Sequence, residues 1–138
     1  MRPVNRRSLS LTAGLLALAM ALSVAPVAAI SGNHPVVVAL CNFNNETVQP
    51  NPPSYFEHMF SDAGAGELGS LDFWHDVSYA NFSISGTVVK GWYTLPISRD
   101  TWAGYGRSQK WSSCAEAAEP FVNLNNFTDV IVVFPEAT

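Results

Sequence analysis

Gly69 to Pro96, GSLDFWHDVSYANFSISGTVVKGWYTLP, is the stretch in which helical spacing gives way to strand alternation. Leu71, Trp74 and Val77 recur at helical spacing, so the first third is expected to be a short helix with one apolar face. Ser70 is placed to cap it through its hydroxyl, and Asp72 falls in the first turn, where the helix dipole favours negative charge. From Asn81 the period changes. Phe82 and Ile84 alternate with Ser83 and Ser85, the pattern of a half-buried strand. Gly86 interrupts, Val88 and Val89 resume, and Gly91 precedes Trp92-Tyr93-Thr94-Leu95, closed by Pro96.

Outward from this stretch lie two uninterrupted apolar runs, Val36-Val37-Val38-Ala39-Leu40 and Asp129-Val130-Ile131-Val132-Val133-Phe134. Continuous rather than alternating apolarity marks strands covered on both faces. Ser54-Tyr55-Phe56-Glu57 has the spacing of a capping box, with Phe56, Met59 and Phe60 continuing at helical spacing to Ser61. Asp62 to Gly69 reads as a glycine-rich linker and Ile97 to Trp111 as loop. Ser113 to Phe121 reads as a short Ala-rich helix bent or stopped at Pro120. Two buried-type strands, one alternating ribbon and three short helices predict an α/β (α+β) fold built on a mixed sheet.

The order Gly69-Ser70, Phe73-Trp74, Val77-Ser78-Tyr79, Ile84, Gly86 and Trp92-Tyr93-Thr94-Leu95-Pro96 resembles the early catalytic domain of secreted zinc metalloproteases of the immune inhibitor A type. Gametolysin-like enzymes are more distant relatives in this respect. Ala80 stands where that family usually has glycine. The resemblance covers most of residues 34–134 and implies a partial zincin-like N-terminal subdomain. It also implies zinc as cofactor, a protein or peptide substrate, and attack on the peptide carbonyl by zinc-activated water with a glutamate as general base. In such enzymes the second apolar strand is followed by an edge strand and then the zinc helix, H-E-x-x-H. Residues 30–138 are therefore expected to be the N-terminal portion of a metalloprotease-like catalytic domain without its zinc-binding helix, from a truncated or a degenerate gene product. Without that covering, the last strand is expected to leave an apolar edge that promotes aggregation.

Residues 1–29 carry the marks of a signal peptide. Arg2, Arg6 and Arg7 form a basic region, Leu9 to Val24 is apolar, and Val27-Ala28-Ala29 is a small-residue cleavage site. The apolar stretch, about 16 residues, falls short of the ~20 that cross a bilayer, so a secreted, extracellular protein with no integral membrane span is expected. Arg6-Arg7 also admits twin-arginine export, although Ser8-Leu9-Ser10 fits that signal loosely. No carboxylate precedes Glu46, so losing the three leader arginines takes the formal net charge from −4 to −7. Only Lys90, Arg99, Arg107 and Lys110 remain as cations, and such a surface excludes nucleic acid as a partner.

Cys41 and Cys114 fit an oxidising compartment, where a pair is expected to bridge. Buried free thiols are the alternative, and the Cys-x-x-Cys spacing of a zinc site is absent. Among the three histidines, His34, His58 and His75, none begins H-E-x-x-H, so no catalytic or metal-binding residue is assigned. The chain alone is expected to be inactive as a protease and to hold no stoichiometric zinc. Gly64-Ala65-Gly66-Glu67-Leu68-Gly69 matches G-x-G-x-x-G by letter, but it follows a helix rather than a strand and reads as a linker. Asp72 and Asp76 share a helix face, which serves paired-acid chemistry or calcium as well as plain solvation. Asn45, Asn81 and Asn126 open glycosylation sequons. Trp92, Trp102, Tyr105 and Trp111, interleaved with cations, raise a second possibility: a small secreted carbohydrate- or cell-wall-binding module with an aromatic surface.

Overall fold

A computed structural model describes residues 30–46 and 49–135 of the 138-residue chain. The expected signal peptide, residues 1–29, lies outside the described residues, as does Thr47 of the first sequon.

The α/β (α+β) class is as expected. Strand β1 (Gly32–Asn33) is followed by β2 (Val36–Phe43), helix α1 (Pro53–Phe60) and helix α2 (Ser70–Val77). Then come β3 (Phe82–Ser83), β4 (Val88–Leu95), α3 (Arg99–Ala103), α4 (Arg107–Ala118) and β5 (Asp129–Val133). The main sheet has the order β4-β2-β5, and β1 pairs with β3 in a second, two-stranded sheet. The expected mixed sheet is not found among the described residues: every pairing is parallel. The reason lies in the connections. Helices separate β2 from β4 and β4 from β5, so each return to the sheet is a crossover, which brings strands in parallel.

The core forms around β2, all eight of whose residues are buried. Val36, Val38 and Leu40 pack on one face with Phe56 of α1 and Val89 of β4. Ala39, Cys41 and Phe43 pack on the other with Leu95, Cys114 and Ala118. Period-two alternation thus gives a continuous apolar run because both faces are covered. The expected disulfide is present: Cys41 on β2 is bonded to Cys114 on α4, with Cα atoms 5.9 Å apart. The pairing of β2 with β4 slips between Leu40 and Cys41, so Leu40 lies opposite Gly91 and Cys41 opposite Tyr93. Trp92 is the extra residue, and it packs on the α1 face beside Phe56 at a ring separation of 5.8 Å. Gly91 is required there, since a Cβ would meet the Leu40 carbonyl oxygen at 2.2 Å and its φ is +119°.

Several local expectations are corrected. The capping box at Ser54 does not form; Pro52 is the N-cap of α1 and Pro53 its first residue, a position that proline suits because its missing N–H is not needed. Ser70 is the first residue of α2, not its cap, and Gly69 caps without a side chain. The presumed loop from Ile97 to Trp111 contains α3, capped by the Ser98 hydroxyl, and the first five residues of α4. Helix α4 is hard to read because its buried face is Cys114, Ala115 and Ala118, residues too small to print a strong apolar stripe.

Candidate functional site

The sequence singled out a glycine-rich loop, three histidines and an aromatic set. The loop comes first because its geometry explains its letters. Gly64 is packed so tightly against the end of α1 that a Cβ would sit 1.8 Å from the His58 carbonyl oxygen. Beyond it, the backbone N–H groups of Gly66 and Leu68 donate to the Asp72 carboxylate, with Gly66 at 3.0 and 2.9 Å and Leu68 at 2.9 Å. These donors, Gly66 foremost, hold the Asp72 carboxyl below the usual carboxylate value. The loop does cradle an anion, and the anion is the chain's own side chain. Asp72 is therefore tied into the fold; Asp76, its neighbour one turn on, is exposed and faces His75.

The connection from α2 to β3 is equally built. Ser78 Oγ accepts from the Phe82 N–H at 2.9 Å, and Asn81 Nδ2 donates to the Ser78 carbonyl at 3.0 Å. Between them Tyr79 and Ala80 take φ values of +53° and +62°, the left-handed region in which a Cβ is penalised. Ala80 thus occupies the kind of position for which glycine is suited.

The histidines stay apart. His34 stacks on Phe82 at 5.1 Å, with Nε2 3.0 Å from the Ser31 carbonyl oxygen. His58 Nδ1 lies 3.0 Å from Glu67 Oε2, and His75 Nδ1 lies 3.3 Å from Asp76 Oδ1, both on the surface. Ser54, one turn before His58, lines the same open depression as His58 and Glu67. Among the described residues no hydrogen bond joins its hydroxyl to His58. Among the described residues no three His, Cys, Asp or Glu side chains gather around one point. A catalytic zinc needs three convergent protein ligands, and with both cysteines in the disulfide the described donors do not fit such a site.

Two grooves remain. One, about 350 Å³, is apolar and opens between α1, α2 and the sheet, with Phe60, Trp74, Phe82 and Ile131 among its walls. The other, about 480 Å³, lies between α4 and β5 and is lined by Trp102, Arg107, Lys110, Trp111, Val132 and Phe134. It brings together two of the four aromatic residues singled out. Trp92 is on the opposite face of the sheet, its Nε1 donating to the Asn51 carbonyl at 3.0 Å. Tyr105 lies in the α3–α4 connection, its backbone N–H bonded to Trp102. Trp102 packs between Phe43 and Phe134, and the Lys110 ammonium sits 4.1 Å from its ring centroid.

Searches against protein families, curated proteins and solved structures find no match to this chain.

Elsewhere, Arg99 pairs with Glu46 and lies over the Phe43 ring, tying the loop after β2 to the start of α3. Asn45 contributes to the same clamp, its Oδ1 accepting the Arg99 backbone N–H at 3.0 Å. Asn81 and Asn126 are exposed. Burial raises the Tyr93 phenol above its usual value, and its ring stacks on Phe121 at 5.0 Å. Among the described residues no helix is long and apolar enough to cross a membrane. Two features escaped the sequence reading. Nothing in the spacing of Gly66, Leu68 and Asp72 announces the loop–carboxylate bond, and the placing of Arg107, Lys110 and Trp111 together on one helix was hidden because their segment read as loop.

Proposed function

We propose that this chain builds the sheet layer of a secreted zinc-metalloendopeptidase-like domain. Peptide-bond hydrolysis on a protein or peptide substrate belongs to the whole domain, and the described residues serve as its scaffold. The observation that carries this reading is the course of the Gly69–Pro96 segment: helix, left-handed turn, strand, strand, in the order of the resembling pattern. The position at which that pattern has glycine falls at φ +62° in Ala80. A glycine preference there has a physical cause, which supports the resemblance beyond a coincidence of letters. The disulfide is compatible with the export that the leader implies.

The test has two parts. Translation of the gene beyond the codon for Thr138 should reveal H-E-x-x-H within about a hundred codons, the scale of the rest of a domain; its absence in every frame leaves only a degenerate relative. Purified Ile30–Thr138 should hold no zinc by elemental analysis after dialysis and should not cleave casein. One zinc per chain with chelator-sensitive cleavage would overturn the scaffold assignment.

A second reading, a secreted glycan- or cell-wall-binding module, retains one supporting observation: Trp102 and Trp111 meet in the α4–β5 groove. Retention of the mature chain on an insoluble polysaccharide, lost in Trp111→Ala, supports it; no retention on a broad panel removes it.

A further inference from the structure

We propose that the groove between α4 and β5 is a binding site for an acidic polysaccharide, recognised through the carboxylate of a uronic-acid residue. This rests on the second reading above and gives it a substrate class. It does not depend on the metalloendopeptidase reading.

Charge placement is the first reason. With the leader removed, four cations stand against eleven carboxylates, yet two of those four, Arg107 and Lys110, line this one groove. No carboxylate lines it, and among the described residues neither cation is in an ion pair. Both occupy the first turn of α4, which holds no acidic residue. The helix dipole disfavours cations there, so helix stability does not account for them. An arginine fork and an ammonium three residues apart on one helix face are a matched pair for a planar carboxylate.

The walls supply the second reason. Trp111 is 42% exposed, leaving indole surface against which a sugar ring can stack, while Val132 and Phe134 make an apolar floor. Trp102 carries a buried Nε1 that has no acceptor among the described residues. An indole N–H in that position normally finds one.

Shape favours a glycan over an acidic peptide. A peptide would dock most readily by adding a strand to β5, but Trp111 Nε1 already donates to the Val130 carbonyl at 2.9 Å. That acceptor is not free for an incoming strand. A sugar chain makes no such demand.

The experiment uses the disulfide-bonded mature chain and follows tryptophan fluorescence during titration with trigalacturonate. Its methyl ester, a neutral glucan oligomer and a glutamate oligomer of equal charge are run beside it. Saturable binding of trigalacturonate is expected, weaker by about tenfold or more for the ester and in Arg107→Gln and Lys110→Gln. Circular dichroism melts of the two variants should match wild type, which separates lost recognition from lost folding. If the ester or the glucan binds as tightly as the acid, the uronic-acid assignment fails and the glycan reading survives. If the glutamate oligomer matches trigalacturonate, the site reads charge alone and the glycan assignment fails. If no oligomer binds, both fail.

Discussion

Strands β2 and β5 have the same kind of sequence and opposite situations. Val36-Val37-Val38-Ala39-Leu40 and Val130-Ile131-Val132-Val133-Phe134 are both uninterrupted apolar runs. Every residue of β2 is buried, whereas no residue of β5 is fully buried. The difference is one of neighbours. β2 has β4 on one side and β5 on the other, with α1 covering one face and α4 the opposite one. β5 pairs only with β2 among the described residues, and Ile131 is left 37% exposed beside the apolar groove. Composition states how much a strand has to bury; the sheet order decides how much it does bury. A strand with the composition of a centre at an edge leaves apolar surface and ladder groups unpaired among the described residues.

The contrast is open to attack by mutation, beginning with the largest effect. Leu40→Ala removes a fully buried side chain and should destabilise the chain by about 2–5 kcal/mol, against under about 1 kcal/mol for Ile131→Ala. Urea unfolding reads both, and equal losses would erase the distinction between centre and edge. Removing the disulfide by Cys41→Ala with Cys114→Ala should cost about 2–4 kcal/mol, because the bridge closes a long loop and fastens α4 to the central strand. A loss below about 1 kcal/mol would mean that packing alone holds α4 on β2.

Two smaller changes lie outside the sheet and should leave the contrast intact. Ala80→Gly relieves a left-handed residue and should raise stability by about 0.5–1 kcal/mol in thermal or urea melts. A decrease would show that the turn is not strained at Ala80. Asp72→Asn tests the loop–carboxylate bond through pH. The folded-state pKa of Asp72 is depressed, so its ionised form favours the folded chain. That contribution is fully present above the ordinary carboxylate value and is lost as pH falls through the depressed one. The melting-temperature gap between wild type and Asp72→Asn should therefore narrow as pH falls from neutrality to below the ordinary carboxylate value. A gap constant across that range would mean that the charge of Asp72 plays no part.

Much of the fold was legible where pattern and burial agree. Phe56 on α1, the apolar run of β2 and the break from helix to strand after Val77 follow from side-chain period, and the disulfide agrees with the pairing expected of two cysteines. Ser54 and Ser70 misled because a capping hydroxyl is a local option that proline at Pro53 and the glycine-rich approach to Gly69 displaced. Arg107 to Ser112 escaped because a helix that buries alanine and cysteine lacks a strong apolar stripe. The aromatic set was legible as residues and not as a surface: Trp92 and Trp102 are ten apart in sequence and on opposite faces of the sheet. Arg107 and Lys110 line one groove with Trp102 only because α4 begins where it does. Parallel pairing followed from strand–helix alternation and the continuous apolar runs, whereas the alternating Phe82–Ser85 segment suggested a mixed sheet.

Native-state amide exchange on disulfide-bonded Ile30–Thr138 tests the centre-and-edge account most directly. The amides of Val37, Val38, Ala39 and Leu40 should exchange only through global unfolding, while those of β5 that do not bond to β2 should exchange orders of magnitude faster. Uniform protection across Val130 to Val133, equal to that of β2, would contradict it.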